Sequence, residues 1–144
     1  MSKKTVTVTV LLVLAACATS HPKVEFLARP GAQGPFSEAV RAGDIVFLSG
    51  VIGSDSTGKL VPGGIGPETQ QSLENVKAAL ARNGLTMDRV VKCTAMLADI
   101  AEWPAMNRVY ATYFPGAKPA RSAFAASGLV FGARIELECI AAAR

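Results

Sequence analysis

Near the C-terminal end, the stretches Pro119-Ala120-Arg121-Ser122 and Arg134-Ile135-Glu136-Leu137-Glu138-Cys139 set Arg121 and two glutamates among apolar residues. Side chains alternate along a strand, so Ile135, Leu137, Cys139 and Ala141 fall on one face while Glu136 and Glu138 share the other. An arginine fork can hold a small carboxylate by two parallel charge-assisted hydrogen bonds, and a nearby glutamate can orient a water molecule or accept its proton. Those groups suffice for a small hydrolytic site without metal or cofactor. Taken alone, the same charges also suit a solvated strand face or a surface ion pair.

Other chemistries find less support. The only histidine, His21, sits in a linker with no partner at ligand or triad spacing, which argues against zinc chemistry and serine-histidine hydrolysis. The formal net charge is +4, and removing Lys3 and Lys4 leaves +2. With no basic run beside aromatic residues, nucleic acid is not an expected partner. Cys93 and Cys139 lie in apolar strand-like runs and read as small buried core residues. An oxidising compartment would also permit a disulfide, but the sequence does not set the distance between them.

A chain of 144 residues, half of them hydrophobic, has room for one domain with an ordinary core. Met1-Ser2-Lys3-Lys4 followed by the apolar or threonine-bearing run Thr5–Leu14 reads as an export signal, too short to span a bilayer. Leu14-Ala15-Ala16-Cys17 then resembles the lipobox of bacterial lipoproteins, which implies cleavage before Cys17 and acylation of that residue. The expected organisation is a signal peptide over 1–16, a lipidated Cys17 and tether over 17–23, and a domain over 24–144. It places the protein in the cell envelope as a periplasm-facing lipoprotein, and Ala18, in place of an aspartate, points to the outer membrane.

The elements that must position Arg121 and the glutamates follow from punctuation and period. Val24–Ala28 suits a strand, Pro30–Pro35 a loop, and Phe36–Arg41 a short strand that turns at Ala42-Gly43-Asp44 into the β-rich run Ile45–Ile52. Gly53–Gly66 is glycine-rich, without the spacing of a phosphate cradle. Pro67 suits a first helical position, Leu73, Val76 and Leu80 keep helical spacing, and Gly84 stops the helix. Val90–Leu97 is a strand, and Pro104 opens a second helix that ends before Pro115-Gly116. Arg121–Ala126 and Ala133–Ala142 are the last strands. This succession of strands and helices predicts an α+β fold, a mixed sheet with both helices on one face. The other face is left without cover in the chain, which predicts self-association and a site near a subunit boundary.

Six stretches in order resemble the Rid family of reactive-intermediate deaminases, also called the YjgF family: Gly34–Ser37, Ile45–Gly50, Gln70–Val76, Met106–Tyr110 with Phe114-Pro115, Pro119–Ser122 and Ile135–Glu138. The resemblance covers nearly all of Arg29–Ala142. It implies a chorismate-mutase-like homotrimer with ligand clefts between subunits, no cofactor, and hydrolytic deamination of 2-imino or enamine acids to 2-oxo acids and ammonia. By the same resemblance Arg121 binds the substrate carboxylate and Glu138 orients the attacking water. Phe36, Gly50, Asn107 and Ala123 line the cleft, and Glu136 is a trimer or solvent contact. Phe36, Val51 and Ala123 stand where tyrosine, glutamine and cysteine are frequent in the family, so the resemblance implies a more apolar pocket and room for a larger substrate side chain. A non-catalytic binding protein that holds small carboxylates in the same cleft is the alternative.

Overall fold

A computed structural model describes residues 22–31 and 34–143. The segment expected to be a signal peptide, Cys17 and His21 lie outside the described residues. In chain order the elements are β1 (Val24–Leu27), β2 (Ala39–Ala42), β3 (Ile45–Leu48), β4 (Val51–Ile52), α1 (Ile65–Arg82), β5 (Val90–Leu97), α2 (Trp103–Thr112), β6 (Ala120–Ala125) and β7 (Ile135–Ala142). The strands form one sheet in the order β1-β2-β3-β7-β5-β6, with β4 also paired to β7. Only β5 and β6 run parallel, so the sheet is mixed, and the chain is an α+β domain with two helices on one face.

Local chemistry explains where elements begin and end. The expected β2 starts three residues later than Phe36, because Pro35 has no N–H for a ladder and the Ser37 carbonyl accepts from Ser49 Oγ (2.7 Å). Helix α1 starts at Ile65 rather than Pro67. Pro67 is still tolerated, since N–H groups of a first turn have no partner within the helix. Gly84 has φ of 72° and Leu85 N donates to Leu80 O (2.9 Å), so the left-handed residue closes the helix as its type predicts.

The expected single run Ile45–Ile52 is broken after Leu48. Phe47 pairs with Ile140, whereas Val51 pairs with Leu137, so four residues on this side face three on β7. One extra residue at Ser49-Gly50 is a bulge, and it turns the backbone beside β7. The hydrophobic core lies between the helices and the face carrying Val46, Leu97, Ile135 and Leu137. Leu73, Val76 and Leu80 of α1 are fully or almost fully buried against it. Tyr113 Oη donates to Glu74 Oε1 (2.7 Å) and ties the end of α2 to α1.

Cys93 and Cys139 are both buried core residues, directly opposed across β5 and β7, and they form a disulfide. On the opposite sheet face, Phe26 (74% exposed), Val40, Phe47 (44% exposed) and Ile140 form one cross-strand row with no helix over it.

Candidate functional site

Trp103, Asn107 and Tyr110 are spaced four and three residues apart, which sets them on one face of α2. Arg121 on β6 meets that face. Its Nη2 donates to Asn107 Oδ1 (2.7 Å), and its guanidinium lies 4.5 Å from the Tyr110 ring centroid and 5.6 Å from that of Trp103. Two rings and an amide oxygen therefore hold the cation in place and leave other N–H donors of the fork for a ligand. Burial pushes the Tyr110 phenol above its ordinary range, only partly offset by the Arg121 charge, so it stays neutral. Asn107, Tyr110, Pro119 and Arg121 line a small cavity of about 290 Å³.

A larger cleft of about 680 Å³ opens beside the break between β3 and β4. Phe36, Gly50, Val51 and Glu136 line it, with the flank of α1 as one wall. That wall is pinned by Asn75, whose Nδ2 donates to the carbonyls of Ile52 and Ser54 (2.9 Å each). Glu136, half-buried, lies against Gly50: a Cβ added there would stand 2.0 Å from Glu136 Oε1. Glycine at this position is what lets the carboxylate approach the turned backbone.

The expected residues are thus divided. Phe36 and Gly50 meet in the larger cleft, and Arg121 and Asn107 in the smaller one. Ala123 packs against the core and lines neither. Within one chain the sheet register separates Arg121 from both glutamates. Arg121 stands beside Cys93, while Glu138 stands beside Thr94, the next residue on β5, so the two side chains leave opposite faces of the sheet. Glu138 is exposed and lines neither cavity. The glutamate beside Gly50 is Glu136, expected from the sequence to be only a trimer or solvent contact. No local signal separates two glutamates on one strand face; the bulge that brings Ser49-Gly50 beside Glu136 does. The ring support of Arg121 was open to detection from the spacing of Trp103, Asn107 and Tyr110.

Among the described residues no group of three or more histidine, cysteine, aspartate or glutamate side chains could hold a metal ion. No helix among them is long and apolar enough to cross a membrane.

A single mixed sheet with two helices on one face, and a glutamate-lined cleft at a broken strand, defines an α+β domain. The chain belongs to the family described as Endoribonuclease L-PSP, the YjgF or Rid family, which it matches over residues 26–143. It is 45% identical over 113 residues to Reactive Intermediate Deaminase A, chloroplastic, of Arabidopsis thaliana, covering 78% of this chain and 60% of that longer protein. A mouse protein named 2-iminobutanoate/2-iminopropanoate deaminase is 42% identical over 113 residues, covering 78% of this chain and 84% of the relative. The structure of E. coli TdcF with bound serine superposes with a TM-score of 0.73 at 31% identity, covering 85% of this chain and 98% of that one.

Proposed function

We propose that the protein hydrolyses reactive 2-imino acids, and the enamines that tautomerise to them, to 2-oxo acids and ammonia. The observation that carries this reading is the pair of prepared groups: Arg121, held by Asn107, Tyr110 and Trp103 with donors to spare, and Glu136, held against Gly50 in the larger cleft. Relatives named for imine deamination at 42% and 45% identity support it, and the serine bound in TdcF carries an α-carboxylate of the kind Arg121 would hold.

In this reading the fork of Arg121 binds the substrate carboxylate and fixes the imine carbon. Glu136, in place of Glu138, orients a water molecule and accepts its proton as the oxygen adds to that carbon. The nitrogen takes up protons, the C–N bond breaks, ammonia leaves and the carbonyl forms. Positioning alone can contribute several kcal/mol to such a step.

One chain keeps the two groups in separate cavities, so the site needs a second copy that sets its Arg121 against the first copy's Glu136. We propose that the uncovered face carrying Phe26 and Phe47 brings the copies together as a homotrimer, with the clefts at the boundaries. Attachment to the membrane through acylated Cys17, on the periplasmic side, completes the proposal. The Cys93–Cys139 disulfide supports an oxidising compartment.

The test generates 2-iminopropanoate or 2-iminobutanoate in situ with an amino-acid oxidase and follows 2-oxo acid release. Wild type should exceed buffer, and Arg121→Ala should fall at least about tenfold in kcat/KM, as expected for loss of a charged hydrogen-bond partner. If wild type and Arg121→Ala both match buffer while a small carboxylate still binds, the protein is a carboxylate-binding protein and the enzyme reading fails. Persistence of membrane association in Cys17→Ser would remove the lipid anchor from the proposal.

A further inference from the structure

The rim of the larger cleft carries a residue that neither the fold nor the reaction above requires. Phe131 is the one non-glycine residue among the described residues with positive φ (φ 57°, ψ 14°), and it is 85% exposed. A bulky side chain in the left-handed region is unfavourable, and so is leaving a whole phenyl ring in water. The turn is fixed by backbone bonds on either side, with Gly132 N donating to Leu129 O and Ala133 N to Val130 O (3.1 Å each). The ring is thus held out on a hydrogen-bonded turn.

Phe131 and its neighbour Val130 line the same cleft as Phe36, which is itself 70% exposed, and Val51. Strain of this kind at a cleft is where a functional constraint is to be sought. The cleft volume of about 680 Å³ also lies within the range of sites for ligands well above the size of a two-carbon side chain, roughly 300–1,000 Å³.

We infer that Phe131, with Val130 and Phe36, is a specificity-determining wall that selects 2-imino acids with large apolar or aromatic side chains over the small ones. The inference rests on the deaminase reading of the same site and adds the substrate class to it. The imino carboxylate lies toward Arg121 of the neighbouring copy and the imine carbon toward Glu136. The side chain of the substrate then covers the exposed phenyl rings and removes their apolar surface from water.

The experiment compares kcat and KM for imines made by an amino-acid oxidase from leucine and phenylalanine with those from alanine and 2-aminobutanoate. It uses wild type, Phe131→Ala and Phe131→Leu, with oligomeric state followed by light scattering. Wild type should favour the large imines by about tenfold or more in kcat/KM, in line with the discrimination of an apolar pocket per added methylene. Phe131→Ala should lose most of that preference through KM, leave the small imines within about twofold, and be largely rescued by Phe131→Leu. A preference for the small imines in wild type, an equal loss on both classes, or a loss that tracks dissociation of the oligomer would overturn the inference. Binding of 4-methyl-2-oxopentanoate and phenylpyruvate against 2-oxobutanoate, measured by calorimetry, separates the two readings. Without turnover, tighter binding of the large acids that is lost in Phe131→Ala keeps the wall and removes the deaminase, and equal binding removes the wall.

Discussion

Glu136 and Glu138 leave β7 on the same side, two residues apart, yet only Glu136 reaches the turned backbone at Gly50. The difference predicts unequal variants. Glu136→Gln should lower kcat for imine hydrolysis by about 100-fold or more, the usual contribution of a positioned proton acceptor, whereas Glu138→Gln should stay within about threefold of wild type. Equal losses would return Glu138 to the site. Gly50→Ala tests the same contact from the other side. The new methyl group meets the tip of a flexible side chain, so the carboxylate swings away at little cost to the fold. The expected outcome is a fall in kcat with a melting temperature within a few degrees of wild type, checked by differential scanning calorimetry.

At the scale of elements, the two helices are joined at one end by Tyr113 and Glu74. Burial first, and then the hydrogen bond to the Glu74 carboxylate, pushes the Tyr113 phenol up from 10.0 to about 12. A raised value means that the folded state favours the protonated phenol. Its contribution to stability is therefore whole below pH 10 and is lost as the pH rises from 10 to about 12. Urea melts between pH 9 and 12 should show this decline in wild type and a flatter profile in Tyr113→Phe. An unchanged profile in the variant would place the alkaline loss elsewhere. Helix α2 also carries Trp103, Asn107 and Tyr110, which hold Arg121.

For the molecule as a whole, the Cys93–Cys139 bond joins the two central strands across a sequence separation of 46 residues. By loop-closure entropy such a link contributes about 4 kcal/mol. Chemical denaturation of the double variant Cys93→Ala with Cys139→Ala should show a loss of that order, with the fold retained by circular dichroism. The uncovered face makes a second prediction. Phe47 lies between Val40 and Ile140 in an apolar row, so Phe47→Asp should yield monomers by light scattering. Because Arg121 and Glu136 occupy separate cavities in one chain, imine hydrolysis should fall with assembly. A monomeric variant of full activity would mean that one chain suffices.

Much of this architecture follows from local pattern. Alternation along Ile135–Ala142, the helical spacing of Leu73, Val76 and Leu80, the stop at Gly84 and the strand Val90–Leu97 are set by short-range sterics and burial, which a sequence displays directly. The pairing of helices on one face and the prospect of an uncovered sheet follow from the order of those elements. Arg121 and Asn107 were legible as site candidates, and so were Phe36 and Gly50. Which of them share a cleft was not, because that depends on register between strands distant in sequence. The bulge at Ser49-Gly50 brought Glu136, and not Glu138, against the turned backbone, the alignment of β5 with β6 and β7 put Arg121 on the face opposite both glutamates, and the same alignment opposed Cys93 to Cys139. Side-chain types are local properties of the chain; the faces and neighbours they acquire are set by non-local backbone pairing, and only the tertiary structure decides that.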